Sequence, residues 1–161
     1  MRSLLLGILF AALACAQSLP GTVVSGGMEW DRYAAAGHFS ANVSASFQVG
    51  KTNWYSYSTV TTPVAKTPEG QNPQTSSIRS GFFYVVTQSG GVSFAALAQA
   101  GVSVAQGTST QANISGGVAV PIRLGKTNLY AIPLLRFVSP QTGTGVQVVP
   151  EIQIGYGFGG K

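Results

Sequence analysis

Two stretches of this 161-residue chain invite a chemical reading, Gly50-Lys51-Thr52-Asn53 and Gly125-Lys126-Thr127-Asn128. Gly-Lys-Thr closes the loop in which backbone amides and a lysine surround a nucleotide's phosphates, but that loop also needs a Gly five residues earlier. Those positions hold Ala45 and Val120, so half of the cradle is missing. Acid–base chemistry through an imidazole would have to use His38, the single histidine. Metal ligands are scarce: one His, one Cys (Cys15) and four carboxylates in the whole chain, too few for the usual donor sets. The remaining chemistry lies in widely separated ionic residues: Glu29, Arg79, Arg123, Arg136 and Glu151. The basic residues form no run of the kind that tracks a phosphate backbone, so no nucleic-acid partner is expected. Catalysis, cofactor binding and metal binding are not expected either.

The residues around the repeated tetrapeptide explain it better. From Phe39 to Val49, odd positions are apolar and even positions polar, the period of a strand. Before the second copy, Ala112, Ile114, Gly116, Val118, Val120 and Ile122 form one face, and Gln111, Asn113, Ser115, Gly117, Ala119, Pro121 and Arg123 the other. A shift of 75 residues lays Phe39 on Ile114, Val43 on Val118 and Phe47 on Ile122. Each tetrapeptide then reads as a tight connection between long antiparallel strands, with Gly and Asn suited to positive φ. A second echo, Ile78–Tyr84 against Ile152–Phe158 at a shift of 74, suggests two related halves of about four strands each.

The pattern predicts strands over 22–33, 38–49, 53–62, 76–87, 92–105, 110–123, 128–138 and 145–158. Connections at one end are short (50–53, 88–91, 125–128). Those at the other (34–37, 63–75, 107–109, 139–144) include the longest. Charged residues make up 8% of the chain, against about 25% in ordinary soluble domains. The N-terminus, with Arg2, an apolar run from Leu4 to Ala14, and Ala14-Cys15-Ala16, has the form of a secretory signal peptide covering residues 1–16. Lipidation at Cys15 is the alternative reading. Removing Arg2 takes the formal charge from +5 to +4, and the mature chain, 17–161, is one domain without a disulfide.

Long alternating strands, low charge and an export signal point to the outer membrane. A bilayer core tolerates strands only in a closed sheet, and about ten residues per strand is the length that spans it. The fold class expected is therefore all-β: an up-and-down antiparallel transmembrane β-barrel, closed, of about eight strands. In the last strand Val148, Pro150, Ile152, Ile154, Tyr156 and Phe158 would face lipid, and Gln147, Val149, Glu151, Gln153, Gly155 and Gly157 the lumen. With its terminal Tyr156-Gly157-Phe158, the chain resembles the small eight-stranded bacterial outer-membrane barrels of the OmpA/OmpX-like and opacity types. The resemblance implies that Tyr156 and Phe158 are read by the barrel-insertion machinery, although Gly159-Gly160-Lys161 follow where those families end on the aromatic residue. It also implies outer-membrane lipid as partner, bacterial outer membrane as location, and a structural or surface-interaction role without an open pore.

Alternation places Glu29, Arg79, Arg123, Arg136 and Glu151 in a lumen that eight strands leave just wide enough for side chains, so these are candidates for salt bridges. Glu151 is expected to pair with Arg79 or Arg136, and Glu29 to lie toward the longer loops, near Arg32 or solvent. Trp54, Tyr55, Tyr130, Tyr156 and Phe158 would form an aromatic belt at the short-turn end; Trp30, Tyr33, Phe39 and Phe137 would form one at the other. In the third strand Trp54 is placed outward. The loop over 63–75 is a candidate surface for a partner. Pro121, Pro133 and Pro150 fall inside strands, where each removes a ladder donor, and they keep a secreted soluble all-β binding domain open as the alternative. A third reading, a lipid A-modifying barrel enzyme, rests on His38-Phe39-Ser40, which resembles the His-x-Ser of lipid A deacylases. In that family the pair lies near the C-terminus and is followed by an acid; here it lies in the second strand with Lys51-Thr52 in that place.

Overall fold

Alternation of small or polar residues with branched and aromatic ones gives each strand two unlike faces, and the computed structural model shows how those faces are used. It describes residues 19–31, 38–64, 75–105, 110–139 and 146–159. Residues 1–18, which include the expected signal peptide, Arg32, Tyr33, most of the 63–75 connection and the final Gly160-Lys161 lie outside them.

The strands are β1 (Thr22–Asp31), β2 (His38–Gln48), β3 (Trp54–Pro63), β4 (Thr75–Ser89), β5 (Val92–Ala105), β6 (Gln111–Ala119), β7 (Ile122–Arg123), β8 (Leu129–Ser139) and β9 (Gln147–Phe158). Apart from β6 and β7, which do not pair with each other, successive strands pair antiparallel, and β9 returns to β1, so the sheet closes. β6 and β7 are one member of the ring. β6 meets β8 at Ala119↔Leu134 and β7 meets β8 at Ile122↔Ala131, with no change of register. The barrel therefore has eight members, as the alternation predicted.

The prolines fit this ring at gaps in its ladders. Pro121 and Pro133 share the single interruption between β6 and β7, where Val120 N–H donates to the Pro133 carbonyl (2.9 Å) and Ser93 N–H to the Pro121 carbonyl (2.8 Å). The pairing of β9 with β1 stops at Glu151, one residue before Pro150. A proline lacks only a donor, so its carbonyl still serves the ladder.

The two repeated tetrapeptides make the same turn. Gly50 and Gly125 both have φ of 63°, a left-handed conformation that glycine adopts without strain. Val49 N–H donates to the Trp54 carbonyl at 2.8 Å, and Leu124 N–H to the Leu129 carbonyl at 2.9 Å. The Thr52 hydroxyl donates to the Val49 carbonyl (2.7 Å) and accepts from Trp54 N–H (3.2 Å); Thr127 does the same with Leu124 (2.6 Å) and Leu129 (3.1 Å). A side chain at the end of the preceding strand also clamps each turn, Gln48 Nε2 on the Thr52 carbonyl (2.8 Å) and Arg123 Nε on the Thr127 carbonyl (2.6 Å). The second echo is displaced. Trp54 lies opposite Tyr84 and its counterpart Leu129 opposite Tyr156, a separation of 156 − 84 = 72 rather than the 74 of the sequence match.

The ring is apolar outside and polar within. Val43, Val60, Ile78, Phe82, Ile114 and Ile152 are all more than half exposed, whereas Asn42, Ser44, Thr59, Gln99, Ser115 and Gln153 are buried. Trp54 points outward, as expected by analogy with the strand that follows the second tetrapeptide. Tyr55 and Tyr130 do not join the short-turn belt: both are buried inside. Each is one residue out of phase with its outward neighbour, Trp54 or Leu129, so the pleat carries it into the lumen.

Candidate functional site: the lumen

The barrel interior has three storeys. Nearest the short turns, Leu19, Tyr55, Val85, Ala95, Leu97, Ala119, Tyr130 and Leu134 form an apolar cluster, with Phe83 and Ile132 against it. Leu19 precedes β1 and plugs the mouth from within, its carbonyl accepting from the Tyr55 hydroxyl at 3.1 Å. Tyr55 stacks on Phe83 with centroids 4.6 Å apart and planes 5° from parallel. Above the cluster is a cavity of about 40 Å³, lined by Val23, Tyr57, Phe83, Leu97, Ile132 and Gln153 among others. Pockets that hold small molecules are roughly 300–1,000 Å³, so this one has room for little more than a water.

The middle storey is a hydrogen-bonded network. Gln153 Nε2 donates to the hydroxyls of Ser44 (3.1 Å) and Tyr57 (3.0 Å) and to Glu151 Oε1, and its Oε1 accepts from Ser25. Tyr57 donates to Ser44 (3.1 Å), and Ser44 shares a hydrogen bond with Thr59 (3.0 Å). Asn42 Nδ2 reaches Glu151 Oε1 at 2.8 Å. Burying these groups without partners would cost several kcal/mol in sum; bonded to one another, they lace four strands together, β1, β2, β3 and β9.

The ionic storey lies toward the longer loops. Glu29 Oε2 takes Arg79 at 2.9 Å and Arg136 at 2.8 Å, and Arg136 NH2 lies 2.8 Å from Glu151 Oε2. Arg79 also donates to Thr61 at 2.7 Å. The result is a chain of alternating sign, Arg79–Glu29–Arg136–Glu151, with no net charge. Glu29 and Glu151 are direct register partners on β1 and β9, a pairing of like charges that is unfavourable by itself. Arg136, fully buried, stands against both carboxylates. Four of the five sequence candidates therefore meet. Glu29 joins the cluster, with a side chain only 12% exposed, so it does not lie in solvent; its expected neighbour Arg32 lies outside the described residues. Height counted along one strand does not carry to the next, because barrel strands tilt and their registers stagger. Arg123 stays outside the cluster, held on the second short turn.

Space for the long lumen side chains comes from glycines that the sequence analysis did not single out. Gly27 is the register partner of Gln153, Gly81 of Gln99, Gly101 of Arg79 and Gly117 of Arg136. At each of the four a Cβ would come within 2.0–2.4 Å of the neighbouring strand's carbonyl oxygen, so only glycine lets the strands close there. The readable signal was a glycine at an inward phase; its partner depends on register. Among the described residues no three His, Cys, Asp or Glu side chains converge. His38 opens β2 opposite Asp31. The lumen as built neutralises charge and fills space, and no nucleophile–base pair or ligand-sized pocket lies among the groups described above.

No family model matches the chain, and no curated protein matches it in sequence. Solved structures do match. Neisserial surface protein A (NspA) superposes with a TM-score of 0.64 at 16% identity, over 88% of this chain and 100% of that one. The outer membrane protein Ail of Yersinia pestis, in a phospholipid bilayer nanodisc, gives 0.59 at 12% identity, over 86% and 99%. A de novo designed transmembrane β-barrel gives 0.51 at 12% identity, over 88% and 98%. At such identities the likeness carries the architecture: the chain has the fold of the small eight-stranded outer-membrane barrels.

Proposed function

We propose that this protein is a small barrel of the bacterial outer membrane, exported by a signal peptide over residues 1–16, with a structural or surface-interaction role and neither an open pore nor catalysis. One observation carries the reading. The ring turns its large apolar side chains outward and buries its polar ones, the reverse of a soluble β-barrel. An exposed apolar surface of this extent is unsustainable in water, but it matches a bilayer core, where backbone groups must pair within a closed sheet. The plugged, charge-neutral lumen supports the absence of a pore. That Ail was solved in a phospholipid bilayer, and that NspA is named a surface protein, support the location and the surface role. The tail aromatics Tyr156 and Phe158, both outward on the last strand, suit recognition by an insertion machinery. The connection over 63–75 is proposed as the partner-binding loop, since binding concentrates on loops borne by rigid scaffolds.

Fractionation tests the reading. The mature protein is expected to sediment with outer membrane, to need detergent for extraction, and to change its gel mobility on boiling. Recovery as a soluble secreted protein would replace this reading with that of a soluble all-β binding domain.

A further inference from the structure

The two ends of the barrel differ in charge. Lys51, Arg123 and Lys126 all lie at the short-turn end, on or beside the repeated turns. Among the described residues no carboxylate joins them there: Glu29 and Glu151 are spent in the lumen, and Asp31 ends β1 at the opposite mouth. Lys51 and Lys126 are exposed, and Arg123 is part-exposed. Nothing in the turns needs the lysine side chains, because the threonine hydroxyls and backbone groups make the bonds. Arg123 is fixed beside Lys126 by its hydrogen bonds to the Thr127 and Lys126 carbonyls (2.6 and 3.5 Å). Since four ring members separate the two turns, the cations stand on opposite sides of the mouth. Immediately above them comes the outward apolar band, beginning with Trp54, Leu129, Tyr156 and Phe158. Cations bordering an aromatic girdle lie at the depth of lipid headgroups.

We propose that the short-turn rim is a binding surface for anionic phospholipid headgroups, engaged at two opposite points by Lys51 on one turn and by Lys126 with Arg123 on the other. The proposal rests on the membrane-spanning reading. Headgroup phosphates supply what the rim lacks, negative charge at the level of the cations, and the lipid tails cover the band directly above. An anionic soluble partner would match the charge but would leave the band uncovered.

The chain carries its own reporter. It has two tryptophans, and Trp54 adjoins the first turn, so a Trp30→Phe variant leaves one fluorophore at the rim. It is inserted into phosphatidylcholine vesicles containing an equal fraction of either brominated-chain phosphatidylglycerol or brominated-chain phosphatidylcholine. The expected result is a preference for phosphatidylglycerol near Trp54 of about fivefold at low ionic strength, lost in about 1 M salt. Lys51→Gln should abolish the preference at Trp54, and Lys126→Gln should leave it. Moving the reporter to the other turn, with Trp54→Leu and Leu129→Trp, should reverse that dependence, and Arg123→Gln should then lower the preference further. Arg123→Gln reproduces the clamp that Gln48 makes in the first turn, and boiling-dependent gel mobility verifies that every variant is folded. Equal quenching by both lipids, or a preference that survives loss of the local lysine, overturns the proposal while leaving the barrel in the membrane. Absence of quenching by either lipid defeats the spanning reading and this one with it.

Discussion

The turn-ward and loop-ward ends of the lumen fill the same narrow space by opposite means. At the turn-ward end, Leu19, Tyr55, Leu97 and Tyr130 exclude water by packing, and apart from the bond of the Tyr55 hydroxyl to the Leu19 carbonyl the demands are volume and shape. At the loop-ward end, Arg79, Glu29, Arg136 and Glu151 fill it with ions that are tolerable only in company. Apolar packing is forgiving, because neighbours relax into part of a lost volume. A buried ion chain is brittle, because removing one member leaves others uncompensated. One barrel thus contains a region that degrades gradually and another that fails at a single residue.

The largest effect is expected at Arg136, which touches both carboxylates. Arg136→Met should destabilise the barrel by about 3–5 kcal/mol in urea unfolding in detergent, and adding Glu151→Gln, which leaves Arg79 and Glu29 as a neutral pair, should recover most of the loss. Additive costs in that series would mean that the ions do not act as a unit. Second in size is the packed end, where Leu97→Ala should cost about 2–5 kcal/mol. This loss should be insensitive to salt and should add to those of the ionic variants, and a non-additive result would erase the contrast between the two ends. Third is the outer face. Val43→Arg, at mid-strand and outward, should cost about 2–4 kcal/mol in a bilayer. Ser44→Arg, which inward phase alone would make the gentler change, should be at least as harmful, since Ser44 is bonded to Tyr57, Thr59 and Gln153 in a filled lumen. The smallest effects belong to the repeated turns: Thr52→Ala and Thr127→Ala should each cost about 1 kcal/mol and should add, because the turns are alike and far apart. Unequal losses in thermal unfolding would mean that the matching hydrogen bonds conceal different loads.

Much of this architecture was legible in the chain, and for one reason. A strand's two faces alternate with a strict period, so the run from Phe39 to Val49 declares which residues go in and which go out before any partner is known. The same holds for the final strand, where Ile152, Ile154 and Tyr156 are outward and Glu151, Gln153 and Gly155 inward. The repeated tetrapeptide was readable as a turn because its conformation is set by four residues and their immediate flanks. Belt membership was misjudged for Tyr55 and Tyr130 because chemical type was put ahead of phase.

The sequence by itself determined the quantities that depend on neighbours along the chain: strand length, facing, turn conformation, and the absence of enough charge for a soluble surface. Only the tertiary structure decided which inward residues meet. Closing eight tilted strands into one ring couples every register to the others, and that stagger brings Glu29 opposite Glu151 with Arg136 against both. It also seats Gly27, Gly81, Gly101 and Gly117 beside the long side chains they accommodate, and breaks β6 from β7 where Pro121 and Pro133 coincide. Such contacts join residues far apart in the chain, 128 positions in the bond from Ser25 to Gln153, and no local pattern encodes a distance around the ring.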